Sequence, residues 1–178
     1  SAGVPVGSRI KRVLKEVRKK SDWGKKMPKG SGQGVAVMEG YNTVMAMVAE
    51  VSVDKNKEVI LEKVTTVVDA GVLVHPDQAL AQVEGSINYG QTAALFGEIT
   101  LKNGIIEQDN FDTYRMVRMN EAPKVMDTHF IDYDGSFVGG LGEPGTALIQ
   151  PAIGNAIFAA CGKRCRTMPF TPENINSA

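Results

Sequence analysis

The stretch GVAVMEGYNTVMAMVAEVSVDKNKEVILEKVTTVVDAG, residues 34–71, decides the fold class. Apolar residues recur at every second position: Val44, Ala46, Val48 and then Val51 or Val53, with a second alternating run in EVILEKVTTVVDAG. Alternation at period 2 is the signature of a strand with two unlike faces. DKNK supplies the turn between the runs, so the segment predicts an antiparallel hairpin over residues 43–69, long enough to form the middle of a sheet.

Downstream the period changes. In HPDQALAQVEGSINYGQTAALFGE, Pro76 suits a first helical turn, and Leu80, Val83, Ile87, Gly90 and Ala94 fall on one stripe. Gly85 and Gly90 each cost roughly 1 kcal/mol against alanine inside a helix. Close approach by another backbone or by a ligand would explain that cost. EITLKNGIIEQ predicts a second hairpin turning at Asn103-Gly104, and KVMDTHFIDYD one more strand. A last helix is expected over about residues 146–160, apolar enough to be buried on more than one side, with Pro151 marking a kink or a late start. Strand pairs followed by helices, without a regular βαβ rhythm, predict an α+β fold with a mixed or antiparallel sheet and helices packed on it.

Upstream, Ser8 is placed to cap a helix carrying Ile10, Val13, Leu14 and Val17, closed by Trp23 and Gly24. KKMPKGSGQG reads as a flexible connector. The expected organisation is a basic helix and connector over residues 1–30, then an α+β unit over 31–178. The chain is formally neutral, yet residues 1–30 hold ten Lys or Arg and two acids, a local charge of +8 that leaves −8 on the other 148. No aromatic or glycine-rich recognition motif accompanies this block, so a solvated helix face is preferred to a nucleic-acid arm. No apolar run of about eighteen residues suggests a membrane span. The start, SAGVPVG, lacks methionine and the apolar core of a secretory signal, and is expected to belong to something larger. Cys161 and Cys165 are two thiols without clustered histidine, hence ordinary thiols before metal ligands.

One acid stands apart. In GGLGEPGTALIQ, Glu143 lies between Gly142 and Pro144, just ahead of a helix. An acid there gains roughly 0.3–1 kcal/mol from the helix dipole, which is enough to explain it. The other reading is a general base on a tight turn, where Gly139, Gly140, Gly142 and Gly145 permit left-handed or cramped backbone.

From about residue 34 to 170 the chain resembles the C-terminal part of the molybdenum-binding large subunit of the xanthine dehydrogenase/aldehyde oxidase family, above all its isoquinoline 1-oxidoreductase branch (β subunit). The stretches that carry the resemblance are GVAVMEGYNTVMAMVAEVSV, VVDAGVLVHPDQALAQVEGSINYGQTAAL, GEITLKNG, YRMVRMNEAPKV, GGLGEPG and PAIGNAIFAACGKR. They recur in the family's order over most of the chain, which is far more specific than any one of them. The segment closing in SDWGK also resembles what precedes this region in those subunits.

The resemblance implies that Glu143 is the catalytic general base, in a motif of the form GxGEPG that includes Gly142. It implies that Gln82, in QVEG, bonds a molybdenum–molybdopterin cofactor, in the cytosine dinucleotide form. The implied reaction hydroxylates an N-heteroaromatic or aldehyde carbon with oxygen from water. No metal ligand is assigned to this chain. The implied partners are the N-terminal remainder of the large subunit, a small iron–sulfur subunit and the small-molecule substrate, with no nucleic acid. The chain alone is expected to bind no cofactor and to be inactive, and its compartment, cytoplasmic or periplasmic, stays open. Arg115, Arg118 and Glu121 are read as structural, interlocking loops through charged hydrogen bonds. The chain departs from the family at Asp69-Ala70-Gly71, where DCG is usual, at His75 for Asn, and at Leu141 for Val. The rival reading is a noncatalytic protein–protein module in which Glu143 merely starts a helix.

Overall fold

A computed structural model describes residues 5–132 and 137–178. In chain order the elements are α1 (Val6–Lys20), β1 (Ser31–Gly40), β2 (Thr43–Val53), β3 (Val59–Asp69), α2 (Pro76–Leu95), β4 (Leu101–Lys102), β5 (Ile105–Ile106), β6 (Val125–Phe130), α3 (Pro144–Cys161) and α4 (Pro172–Asn176). Four strands form one sheet in the order β1-β2-β3-β6. The first three are antiparallel; β6 runs parallel to β3, from Lys63 opposite Val125 to Val68 opposite Phe130. The fold is α+β with a mixed sheet, and the expected β2–β3 hairpin occupies its middle.

Helices cover both faces of this sheet, which is why β2 is apolar at nearly every position. Met45, Met47, Ala49, Val51 and Val53 point into a core shared with Val83 and Ile87 of α2 and Ile149, Ile153 and Ile157 of α3. Val44, Ala46 and Val48, with Val67 of β3, meet Val13 and Val17 of α1 on the other face. Successive side chains alternate across a strand, so one continuous apolar run serves two cores. Among the described residues, no helix is long and apolar enough to cross a membrane.

Glycines misread as loop formers set the spacing on the α3 side. Gly32 and Gly34 fall in SGQG, where a connector was expected, yet this stretch opens β1. A Cβ on Gly34 would lie 2.2 Å from the Ala152 carbonyl oxygen, and one on Gly32 would lie 2.5 Å from that of Ala156. The strand lies directly on the helix backbone, and only glycine allows that approach. β1 and β2 join through Tyr41 (φ 56°) and Asn42 (φ 62°), a tight hairpin turn with both central residues left-handed.

Other helix ends are corrected as well. α1 starts at Val6 behind Pro5, which makes no side-chain cap, so Ser8 lies inside the first turn instead of capping it. Its amide donates to the Pro5 carbonyl at 2.9 Å. α3 runs from Pro144 to Cys161, close to the expected 146–160, and continues through Pro151, so Pro151 marks no late start. Proline at the first helical position loses an amide that the helix would not have used. Gly162 ends α3 in the left-handed region, as its sequence position implies. The strand expected in KVMDTHFIDYD ends at Phe130, and residues 133–134 of that segment lie outside the described residues.

Candidate functional site

The middle of α2, the start of α3 and the loop before α3 build the site. α2 begins behind His75, a loop histidine whose Nδ1 accepts from the Gln78 amide at 3.3 Å. From about two turns further on, the helix presents Gln82, Gly85, Ser86 and Tyr89 to the cleft at the start of α3. The helices interlock through small residues. A Cβ on Gly90 would lie 2.5 Å from the Thr146 carbonyl oxygen, and Thr146 Oγ1 donates to the Ser86 carbonyl at 3.3 Å. Gly90 is thus the backbone-approach glycine of α2. Gly85 is the other kind: a Cβ there would meet nothing within 4 Å.

The loop before α3 is held from below. Gly139 N donates to the Ala70 carbonyl at 2.7 Å, Gly140 N to that of Tyr41 at 2.8 Å, and Thr43 Oγ1 to that of Gly140 at 2.8 Å. Gly139, Gly140, Gly142 and Gly145 all keep negative φ. The left-handed half of the sequence expectation is therefore wrong, and the cramped half is right: a Cβ on Gly139 would fall 2.2 Å from Thr43 Oγ1. Gly142 sits at the open end, where a Cβ would meet nothing within 4 Å.

Glu143 occupies the N-cap position of α3, but its backbone is already helical (φ −100°, ψ −31°) and its side chain makes no capping bond. The carboxylate projects into an open cleft of about 510 Å³ that Gln82, Gly85, Gly142 and Gln150 also line. The structure therefore brings Glu143, Gly142 and Gln82 to one place. Glu143 is the one carboxylate among the residues that line the cleft; the rest is amide, hydroxyl, the Tyr89 ring, the Ala147 methyl and bare backbone. Both Glu143 and Gln82 are exposed, and neither side chain has a hydrogen-bond partner among the described residues.

Other polar groups are already engaged. Glu121 accepts from Arg115 and, at 2.8 Å, from the Arg118 amide, while Gln91 Nε2 donates to its carbonyl at 2.7 Å. The Arg115 guanidinium beside Glu121 holds its carboxyl below the usual carboxylate range. Arg115 also stacks 4.3 Å from the Phe96 ring. The expected charged hydrogen bond joins Arg115 and Glu121 within one loop, while Arg118 takes part through its backbone amide. A second cleft, of about 320 Å³, lies beside them, but its Glu121 and Lys124 are paired with Arg115 and Glu62. Cys165 is buried with its thiol on the Thr167 carbonyl at 3.2 Å, and Cys161 is half-buried and free. No group of three His, Cys, Asp or Glu could hold a metal ion among the described residues.

Sequence reasoning missed Gln150, which lines the cleft, and Arg9. Arg9 belongs to the basic block read as a solvated face, yet it is buried, with Nε 3.1 Å from Asp69 Oδ2. Its partner is 60 positions away in the chain, which no local pattern reveals.

Residues 10–123 match the family model described as molybdopterin cofactor-binding domain. The chain is 39% identical, over 92% of its length, to a membrane-bound aldehyde dehydrogenase of Gluconacetobacter polyoxogenes whose name carries pyrroloquinoline quinone. It is 31% identical, over 94% of its length, to the isoquinoline 1-oxidoreductase β subunit of Brevundimonas diminuta. The higher identity of the first means that the isoquinoline branch is not singled out. The chain spans 22% and 21% of these two relatives. The crystal structure of quinoline 2-oxidoreductase from Pseudomonas putida 86 has the same fold, with a TM-score of 0.69 over 76% of this chain and 18% of that one, at 19% identity.

Proposed function

This chain belongs to the molybdopterin-binding large-subunit family of xanthine dehydrogenases and aldehyde oxidoreductases, and on that premise we propose that Glu143 is its general base. The observation that carries the reading is the convergence of Glu143, Gly142 and Gln82 on one cleft, with Glu143 not spent on a cap. A capping acid would bond the first free amides of its helix. This one is left available.

The cleft fits the flat, hydrogen-bonding end of a molybdopterin. Gly85 and Gly142 leave open space where a side chain would stand, and Gln82 and Gln150 offer amides that can both donate and accept. No lysine or arginine lines it, so the phosphates of a cytosine dinucleotide form would be held by other parts of the polypeptide. When bound, the cofactor supplies the redox centre that takes up the substrate's electron pair. Gln82 would hold it in place through its amide, and Gly142, with open space at its Cβ, would let the Glu143 loop lie close to it. Glu143 takes a proton from the water that provides the oxygen, at a carboxylate oxygen held by a short, cramped turn. The substrate class is an N-heteroaromatic or aldehyde carbon.

Glu143 is exposed in this chain, whereas a working base needs a dry, shaped surround. The N-terminal remainder of the large subunit would cover the cleft and a small iron–sulfur subunit would carry electrons away. Residues 31–178 would then form the C-terminal α+β part of the cofactor-binding domain, preceded by the helix and connector of residues 1–30. The chain alone would be inactive. A second reading, a noncatalytic interaction module, draws on the exposed apolar ribbon of β4 and β5, where Leu101 and Ile105 are each 71% exposed. Metal and pterin analysis of the complete protein separates the two. Stoichiometric molybdenum and pterin are expected, with Gln82→Ala lowering occupancy more than turnover per bound metal. A complete protein without molybdenum, or one holding a quinone cofactor instead, would overturn the proposal.

A further inference from the structure

Arg9 lies among ten cations at the start of the chain, yet it is only 3% exposed. A surface cation would not be buried at such cost unless its partners required it. Its guanidinium reaches three separate segments. Nε and Nη2 each donate to the Asp69 carboxylate at 3.1 Å, and Nη2 donates to the Asp69 carbonyl at 2.8 Å, at the end of β3. Nη2 also donates to the Asn42 carbonyl at 3.1 Å, in the β1–β2 turn. Its carbon lies 4.6 Å from the centre of the Phe137 ring, in the segment that leads to Glu143.

The same two places carry the Glu143 loop. Just past Asp69, the Ala70 carbonyl accepts from Gly139 and Val72 N donates to the Phe137 carbonyl at 2.9 Å. In the turn, the Tyr41 carbonyl accepts from Gly140, three residues ahead of Glu143. That turn holds Tyr41 and Asn42 at positive φ, the geometry a two-residue hairpin needs, so its carbonyls are presented at fixed positions. Arginine's planar, always charged fork suits the task, since one rigid group can satisfy several acceptors at fixed angles.

We propose that Arg9, paired with Asp69, is a positioning residue that holds the 137–142 segment in register and so aims Glu143 into the cleft. This rests on the reading of Glu143 as the base. It also gives α1 a part in the site, although α1 lines none of it.

The test uses the complete protein and the double variant Arg9→Met/Asp69→Leu. Removing both charges leaves neither buried without a partner, and such apolar replacements often fold as stably as the original pair. Hydrogen exchange is followed in peptides covering 137–143 and, as the internal reference, 45–53. Exchange over 137–143 is expected to rise by roughly tenfold or more while that over 45–53 is unchanged. Turnover should fall with KM and metal content retained. Equal acceleration of both segments, or of neither, overturns the proposal; so does unchanged turnover alongside faster exchange of 137–143. Glu143→Gln run in parallel keeps the two inferences apart. Full turnover in that variant removes the general base, whereas the exchange pattern of the double variant decides what Arg9 does.

Discussion

A Cβ on Gly145 would fall 1.8 Å from the hydroxyl oxygen of Ser86, so α3 and α2 meet in direct contact half a turn from Glu143 and one turn from Gln82. This contact fixes the width of the cleft floor. Gly145→Ala must push the helices apart or force Ser86 off its rotamer, at a cost of about 1–3 kcal/mol. Ser86→Gly added to it should recover part of that loss, because the clash involves Ser86 Oγ and Cβ. Thermal or urea unfolding of the single and double variants measures this. Additive losses in the pair would show that the contact is not the cause.

Gly85 should behave in the opposite way. It lies inside α2 with open space at its Cβ, so Gly85→Ala gains helix propensity without a clash, a stabilisation of about 1 kcal/mol. If the cleft receives the cofactor, the new methyl intrudes on it. The expected result is a more stable protein with lower pterin and molybdenum occupancy. A stabilised variant with full occupancy would remove Gly85 from the binding surface.

Acid should loosen the loop held by Glu121. Its carboxyl is held low in the folded state by Arg115, so the stabilisation is complete above the unfolded value of about 4.3 and is lost as pH falls through the lower folded value. The pair is part-exposed and screened, so the contribution is at most about 1 kcal/mol. Glu121→Gln should therefore flatten the fall in urea midpoint below about pH 4.3 and change little near neutrality. A variant that keeps the wild-type acid slope would place that slope on other carboxylates.

The legible parts of this fold were those whose signal is local. Two apolar, valine-rich runs joined by a turn over residues 43–69 and period 3.6 over 76–95 revealed the central hairpin and α2, because these signals lie within one stretch of chain. Gly32 and Gly34 were opaque because a glycine that admits a helix looks, in sequence, like one that makes a loop. Gly85 and Gly90 share a helix and a cost, and only the position of α3 shows that one packs while the other stays open. Arg9 was indistinguishable from nine solvated neighbours until Asp69 was placed beside it. Glu143 stood out by its glycine and proline surroundings, but those residues alone favoured a helix-start acid, and only the family resemblance favoured a general base. The absence of a capping bond is what the structure adds.

The measurement that bears most directly on Glu143 is turnover per bound molybdenum in the complete protein carrying Glu143→Gln. The amide keeps the shape of the side chain and can still hydrogen-bond, but it cannot accept the proton. General-base assistance is worth about 10²–10⁴ in rate, so turnover per metal should drop by at least about 10² while molybdenum and pterin content stay near normal. Wild-type turnover per molybdenum in this variant would contradict the account and leave Glu143 as an acid that only begins a helix.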